Sequence, residues 1–526
     1  MVVSLAAATA LLATVIVVPL LCILLLPTGK RGVALSQYNG DRRGRLPPSP
    51  RGLPLLGHLH LLGALPHRAL RSLAAAHGPV LLLWLGRVPA VLVSSAVAAE
   101  EVMRARDLAF ASRPRNAMAE RLLYGRDVAF APYGEYWRQT RRICTLHLLN
   151  ARRVLSFRRV REQEATAMVD RVLATGGAAF DLVELLMAYS NTVISRATFG
   201  DESSRSLYTD VDRGRELKKV FSDFEQLLGT EPVGELLPWL RWVDALRGLE
   251  GKVQRTFQAL DGVLEKVIND HRRRREGGLQ TGADGNHRDF VDVLLDVNKM
   301  DKDAGIQLDT KEIKAIIMDV FAAGTTTTTT AIQWAIAELI NHPHAMRKAQ
   351  HELRAVTGAT DCVTEDDVDR LPYLKAVLKE TLRLHPPVPL LVPREPPADA
   401  EILGYRIPAR TRVVINASAI GRDPAAWGEH AEEFSPERFM DSNVDYKGHN
   451  LELVPFGAGR RGCPGVMFAE QTIQMALASL LYHFDWEVAG RRGSPAGMSS
   501  LDMSEIHGIS IRLKYGLPLV AKPRLP

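Results

Sequence analysis

The stretch PFGAGRRGCPG at residues 455–465 runs directly into an apolar helical pattern at Val466–His483. Three glycines precede Cys463 and one follows it, and glycine permits backbone shapes and close approaches that other residues resist. Two arginines near the thiol and the start of a helix both favour the thiolate, which is the form of cysteine that binds metals. A glycine-rich turn that ends in a buried cysteine is the simpler interpretation. The residues therefore allow a metal-bound Cys463 without requiring one.

The composition excludes several other classes of protein. Of the 526 residues, 46% are hydrophobic and 24% are charged, which is typical of a globular protein. The net charge is +6, and residues 30–51 contribute +5 of it, from six basic residues against one acidic residue. The rest of the chain is nearly neutral, whereas a nucleic-acid-binding protein spreads basic charge along a face. The sequence therefore predicts no nucleic-acid partner.

The cysteine spacing excludes a zinc site and a disulfide framework. Cys22, Cys144, Cys362 and Cys463 form no CxxC pair, and four cysteines are few for a chain of 526 residues. Cys463 remains the one thiol whose surroundings point to chemistry.

The first 29 residues predict a transmembrane helix. No charged side chain occurs from Val2 to Pro27, a length that can cross the hydrocarbon core of a bilayer. A cleavable signal peptide is the alternative, but it needs a basic start and a shorter apolar region. The charges follow the apolar segment, so the positive-inside rule places the remaining chain in the cytosol. We expect a single-pass anchor in the endoplasmic reticulum membrane at residues 1–29, followed by a basic and proline-rich hinge at residues 30–58.

The remainder, residues 59–526, predicts one mainly α-helical domain with a small β region. Two apolar runs within Val80–Ser95 flank a Gly-Arg-Val-Pro turn and indicate a β-hairpin. A segment rich in Gly, Asp and Asn at Glu276–His287 indicates a surface loop. Helical periodicity recurs along the domain at Val97–Arg106, Glu135–Leu149, Ala151–Leu173, Val253–Arg274, Asp309–Asn341 and Ala345–Val356, with short strand patterns at Ala400–Ile407, Arg412–Asn416 and Ile509–Lys514.

The cysteine stretch resembles the haem-binding signature of the cytochrome P450 family, Phe-x-x-Gly-x-Arg-x-Cys-x-Gly. The pattern is met at Phe456, Gly459, Arg461, Cys463 and Gly465. The resemblance implies a cytochrome P450 fold, a haem b cofactor whose iron takes Cys463 as its axial ligand, and a haem propionate paired with Arg461.

Companion motifs extend the resemblance over nearly the whole chain, most closely to the plant microsomal group. Glu380 and Arg383 form an ExxR motif on a helix, and together with Arg438 they resemble the family's structural cluster behind the haem. The resemblance implies further propionate partners at four positions, namely Trp137, Arg141, Arg113 and Arg394.

The helical pattern Asp309–Asn341 resembles the family's oxygen-binding groove, Ala/Gly-Gly-x-Asp/Glu-Thr-Thr/Ser. Ala323 and Gly324 match, and Thr327 takes the place of the proton-delivering threonine. Thr326 occupies the position where the family has an acidic residue. Because a hydroxyl cannot replace a carboxylate as a proton source from solvent, this departure leaves two interpretations. Either water and the remaining threonines relay protons, or the enzyme catalyses a reaction that needs less oxygen activation.

The resemblance implies a monooxygenase that inserts one oxygen atom from O2 into a small, mainly hydrophobic metabolite. Pocket positions suggested by the family are Ala323, Val388, Leu391 and Ile506. A non-oxygenating haem-thiolate isomerase or dehydratase is the alternative that Thr326 motivates. A haem sensor or carrier without enzymatic activity would explain Cys463 but not the groove.

The sequence also predicts a redox partner. It contains no flavin or nicotinamide fingerprint, so the electrons of NADPH must arrive through a partner, an NADPH-dependent cytochrome P450 reductase. We expect that reductase to bind a basic face near Cys463 that includes Arg141, Arg142 and Arg460.

Overall fold

The computed structural model describes residues 44–208, 211–276, 288–300, 307–358, 360–489 and 500–524. The predicted anchor at residues 1–29, the hinge before residue 44 and nearly all of the predicted loop at Glu276–His287 lie outside these ranges. Within them, no helix combines the length and apolar character that a membrane span requires.

The molecule is mainly helical, as the sequence predicts. In chain order the first helices are α1 (Pro66–His77), α2 (Ala96–Glu100), α3 (Ala117–Leu122), α4 (Glu135–Ile143), α5 (Ala151–Ser156), α6 (Arg158–Leu173), α7 (Leu182–Tyr208), α8 (Val211–Leu228), α9 (Val233–Leu236) and α10 (Arg241–Leu246). They are followed by α11 (Leu249–Glu276), α12 (Phe290–Met300), α13 (Thr310–Asn341), α14 (Pro343–Thr357), α15 (Glu365–Val368), α16 (Pro372–Leu384), α17 (Ala417–Ile420), α18 (Pro424–Trp427) and α19 (Val466–His483).

The strands are short and form four small sheets. They are β1 (Val80–Leu85), β2 (Val88–Val93), β3 (Phe180–Asp181), β4 (Ala400–Ile402), β5 (Tyr405–Ile407), β6 (Arg412–Ile415), β7 (Phe484–Val488), β8 (Glu505–Ile506), β9 (Arg512–Leu513) and β10 (Pro518–Pro523). The sheet orders are β1-β2-β6, β3-β10-β7, β4-β5 and β8-β9. Strands β1 and β2 are the predicted hairpin, paired antiparallel, and β6 adds to β2 in parallel.

Several predicted elements are interrupted. The predicted helix Val97–Arg106 is α2 followed by a π-helical turn at Glu101–Ala105, and Glu135–Leu149 is α4 followed by another at Cys144–Leu148. The predicted helix Ala151–Leu173 breaks at Phe157, whose backbone is not helical. Such breaks are shorter than the window over which periodicity is assessed, so the sequence pattern does not reveal them.

The predicted strand regions are also shorter than expected. Ala400–Ile407 folds back on itself as β4 and β5, because Gly404 adopts a positive φ of 80° between them. The predicted strand Ile509–Lys514 is reduced to β9, and two long helices, α7 and α8, were not predicted.

Helix α13 runs through the centre of the domain. It begins with a capping box, in which Asp309 accepts a hydrogen bond from the Glu312 amide and Glu312 accepts one from the Asp309 amide. Its side chains from Ala331 to Leu339 are buried without a break, which is expected of a helix surrounded by others. Helices α7, α16 and α19 pack against it. The central position of α13 brings its middle turns to a cavity lined by the predicted site residues.

The predicted Glu-Arg-Arg cluster forms beside α16. Both carboxylate oxygens of Glu380 accept hydrogen bonds from Arg383, at 2.6 and 2.7 Å, and both side chains are fully buried. Arg438 lies 3.5 Å from the same carboxylate. The carbonyls of Gly421 and Ala431 accept further hydrogen bonds from Arg383 at 2.6 Å, so the buried ion pair is satisfied on all sides.

Candidate active site

A cavity of about 310 Å³ lies between the middle of α13 and the loop that precedes α19. Its wall is largely apolar, as in typical small-molecule sites. The predicted site residues that line it are Trp137, Arg141, Arg113, Ala323, Gly324, Thr327, Arg394, Phe456, Arg461, Cys463 and Gly465. Two others, Thr326 and Gly459, are absent from the wall.

Cys463 lies deep in the protein, yet its side chain is exposed because it borders the cavity. Its amide donates to the Phe456 carbonyl at 2.9 Å, which closes the loop, and the Gly465 amide donates to its sulfur at 3.4 Å. Desolvation raises the pKa of the Cys463 thiol, while the Gly465 amide and the charge of Arg141 oppose that rise. Burial thus disfavours the thiolate, and a metal ion bound at the sulfur would favour it.

The two arginines adjacent in sequence do not act on the thiol as expected. Arg460 binds the carboxylate of Asp107, and the guanidinium of Arg461 lies 4.0 Å from the centre of the Trp137 ring. The cation that favours the Cys463 thiolate is instead Arg141, from the end of α4.

Gly459 holds the shape of the cysteine loop. Its φ is +68°, and a Cβ at this position would lie 2.1 Å from the backbone carbonyl oxygen of Met103. Only glycine fits both conditions, so the signature glycine is explained by the approach of the π-helical turn at Glu101–Ala105. It shapes the site without lining it.

Arg461 and Trp137 form a stacked pair at the cavity wall. Arg461 donates to the carbonyls of Ala111 and Ala131 at 2.6 and 2.7 Å, and the indole nitrogen of Trp137 donates to Val128 at 3.0 Å. Desolvation lowers the pKa of Arg461 to about 9, and repulsion from other arginines adds to this effect. The pair is thus held by neutral groups, and its charge is not balanced by a direct carboxylate partner.

The other three arginines of the wall also make hydrogen bonds to the protein. Arg394 donates to Asp107 at 2.9 Å. Arg113 donates to the carbonyls of Ala129 and Pro393 at 3.0 and 2.9 Å. Arg141 donates to the Gly462 carbonyl at 2.5 Å, which ties α4 to the cysteine loop.

The charge of this wall fits a haem. The four arginines are Arg113, Arg141, Arg394 and Arg461, and desolvation lowers the pKa of each. Arg394 already pairs with Asp107, whereas the hydrogen bonds of the other three within the described chain go to neutral carbonyls. Desolvated cations require anionic partners, and the two propionates of haem b would supply them beside a metal that Cys463 can bind. The residues present therefore fit the group that the sequence implies.

The threonine-rich turn of α13 forms the opposite wall. Ala323, Gly324 and Thr327 face the cavity, and the Thr327 hydroxyl donates to the Ala323 carbonyl at 2.5 Å. A Cβ on Gly324 would lie 2.9 Å from Ile194 of α7, so this glycine permits close packing of the two helices. Thr326 points elsewhere, and its hydroxyl donates to the carboxylate of Glu225 on α8.

Two acidic residues near the site were missed by sequence reasoning. Asp319 lines the cavity, and its carboxylate accepts hydrogen bonds from the amides of Val128 and Ala129. It lies four and eight residues before Ala323 and Thr327, a spacing that places it on the same helix face and could have identified it. Glu225 lies 101 residues before Thr326, and no local pattern connects them.

One expectation about the surroundings of the site is wrong. Ile506 does not line the cavity and is 44% exposed on β8, whereas Val388 and Leu391 do line it. Of the three arginines expected at the docking face, Arg141 lies in the cavity wall and is only partly exposed. Arg142 and Arg460 are exposed as expected.

Comparison with known proteins agrees with this geometry. The model of the cytochrome P450 family matches residues 47–502. "Cytochrome P450 71A1" of Persea americana is 47% identical, over 89% of this chain and 92% of that protein. "(+)-Menthofuran synthase" of Mentha piperita is 43% identical, over 92% of this chain and 94% of that protein.

The fold is also similar to solved structures. A zebra fish cytochrome P450 with progesterone superposes with a TM-score of 0.73 at 24% identity, over 87% of this chain and 99% of that one. With the cysteine loop, the buried Glu380–Arg383 pair and the central helix all in place, the chain belongs to the cytochrome P450 family and is a monooxygenase of that family.

Proposed function

We propose that this enzyme inserts one oxygen atom from O2 into a small, mainly hydrophobic metabolite of plant specialised metabolism. The observation that carries the proposal is the cavity itself, whose wall includes the Cys463 thiol, the Thr327 turn and four arginines, three of them buried and one partly buried. A relative 43% identical is named (+)-menthofuran synthase, which supports a small apolar product.

The substrate side of the cavity is apolar. Val388 and Leu391 come from the segment after α16, and Ile194 comes from α7. Such a surface binds a ligand mainly by removing apolar area from water, at about 25 cal/mol per Å². It discriminates by shape, and polar substrates lose hydration without gaining partners.

The residues of the chain have separate tasks around the cofactor. A bound haem with a thiolate ligand supplies the activation of O2. Cys463 would provide the ligand, and the arginines together with Trp137 would bind and orient the propionates. The Thr327 hydroxyl holds a proton at its Oγ1 atom and is kept beside the cavity by its bond to Ala323. The apolar wall excludes bulk water from the reacting atoms.

The electrons come from NADPH through a cytochrome P450 reductase. The exposed Arg142 and Arg460 lie near the cysteine loop and would contact an acidic partner surface. The uncharged N-terminal segment would anchor the enzyme in the endoplasmic reticulum membrane, with its catalytic domain in the cytosol.

Turnover with labelled oxygen tests this proposal. The full chain is reconstituted in membranes with a plant-type reductase, NADPH, ¹⁸O-labelled O2 and a panel of small aromatic and terpenoid compounds. A product that carries one labelled oxygen atom supports it. Conversion without NADPH or label supports the isomerase or dehydratase alternative.

A further inference from the structure

The groove motif lacks its acidic residue, but a carboxylate from another helix lies beside the position where that residue would be. Thr326 stands where the family has an acid, and its hydroxyl donates to the carboxylate of Glu225. Glu225 belongs to α8, a helix that lies against α7 and α11. The carboxylate is therefore supplied from a second helix to the residue that adjoins Thr327 in the chain.

Aromatic packing fixes α8 against α13 at this point. Phe221, one helical turn before Glu225, packs on Phe321 with ring centres 4.1 Å apart. Phe321 also contacts Phe199 of α7 at 5.8 Å. All three rings are buried, so the two helices cannot separate here without exposing apolar area. The contact between Glu225 and Thr326 is thus part of a packed interface.

The surroundings of Glu225 suit a proton donor. Burial raises its pKa, and the Thr326 hydroxyl and the charge of Arg512 on β9 offset part of that rise. An acid with a raised pKa retains its proton closer to neutral pH, where general acids are most effective. Lys252 of α11 binds Asp223 and Gln226 of α8 rather than Glu225, and Arg512 is the charged group that acts on Glu225 within the described chain.

We propose that Glu225 replaces the missing acid of the groove, and that Thr326 positions it to supply protons toward Thr327. The inference rests on the proposed monooxygenase function. In each turnover O2, two electrons and two protons yield one inserted oxygen atom and one water molecule. The proton that leaves Glu225 ends in that water, and solvent protonates the carboxylate again. Glu225 acts through Thr326 and does not line the cavity.

A spectroscopic titration tests the carboxyl group without turnover. The carbonyl stretching band of a protonated carboxyl is followed by infrared difference spectroscopy of the full chain as the pH is raised. One such band should be lost in Glu225→Gln and retained in Asp223→Asn, which changes an acid on the same helix. Thr326→Val should move its titration to higher pH, because the hydroxyl bond favours the carboxylate. Identical titrations in the wild type and Glu225→Gln would refute the proposal.

A second measurement follows proton supply in the haem-loaded enzyme with reductase. The probe is O2 itself, and the rate of NADPH consumption is recorded against pH. Glu225→Gln should lower this rate at least about tenfold and remove its decline at high pH. The rate of haem reduction, trapped with carbon monoxide, should not change, which separates proton supply from reductase binding.

A third experiment moves the carboxylate from α8 to α13 and measures the same rate of NADPH consumption. The double substitution Glu225→Gln with Thr326→Asp returns the acid to α13 and should recover most of the rate, and Glu225→Asp should give an intermediate rate. Loss of thermal stability in Glu225→Gln with an unchanged pH profile would assign the residue a structural role only. A wild-type enzyme that consumes no NADPH would refute the proposed function, while the infrared result would still stand.

Discussion

Cys463 is one of two thiols at the cavity wall, and Cys144 of the π-helical turn after α4 is the other. Burial raises the pKa of Cys144 to about 12, whereas Arg141 and the Gly465 amide act on Cys463. We expect Cys463→Ser to abolish the thiolate-type carbon monoxide spectrum of the reduced protein. Cys144→Ser should retain it, and a spectrum that survives in Cys463→Ser would contradict the assignment of the ligand.

Gly459 offers a second test at the scale of one residue. Gly459→Ala places a Cβ at 2.1 Å from the Met103 carbonyl in the left-handed region, which we expect to cost about 3–5 kcal/mol. Gly63 has nearly the same φ, +57°, but open space around it. Gly63→Ala should therefore cost only about 1–2 kcal/mol. Urea unfolding of the two variants measures the difference, and equal losses would show that the Met103 contact is not decisive.

Site residues could be predicted from the sequence where they are close together in the chain. Contiguous motifs predicted the five signature residues from Phe456 to Gly465 and the groove residues Ala323, Gly324 and Thr327. The sequence did not predict that Arg141 is the cation near the Cys463 thiol, because Arg141 lies on a helix 322 positions earlier in the chain. The acid beside Thr326 could not be read either, because the pairing of α8 with α13 is a product of the fold.

At the scale of elements, the pair formed by Glu380 and Arg383 holds α16 to the loop before the cysteine stretch. Glu380→Gln removes one charge from a fully buried ion pair, and we expect a loss of about 3–5 kcal/mol. The exposed pair of Glu100 and Arg104, at 3.7 Å, is the control, and Glu100→Gln should cost no more than about 0.5 kcal/mol. The urea midpoints of both variants measure the two losses of stability. Similar midpoints would contradict a larger contribution from the buried pair.

Elements were predicted well where periodicity alone defines them. The long α13 was expected at Asp309–Asn341 and occupies Thr310–Asn341, since its capping box is a local signal. Helices α7 and α8 were missed, and α8 is rich in charged residues, which dilute the apolar pattern. The π-helical turns were missed because each spans about one turn, which is shorter than the window of 11 to 18 residues over which periodicity is assessed.

At the scale of the whole molecule, the exposed Arg142 should govern association with the reductase. We expect Arg142→Glu to slow haem reduction and to weaken its dependence on salt concentration, because a complementary charge is lost. Lys522→Glu reverses an exposed charge on β10 and serves as the control. Stopped-flow reduction over a range of ionic strength compares them. Unchanged rates and salt dependence in Arg142→Glu would show that the reductase binds another surface.

The four arginines of the cavity wall should also affect how much of this enzyme accumulates in a cell. Desolvation of these arginines, together with the repulsion that Arg113 and Arg461 experience, penalises the haem-free fold, and a ligand that binds only the folded state stabilises it by mass action. Newly made chains should therefore persist in proportion to the haem available to them. Cells starved of a haem precursor should lose the protein to degradation while its messenger RNA stays constant, which pulse-chase labelling would show. An unchanged half-life would mean that the empty fold is stable by itself.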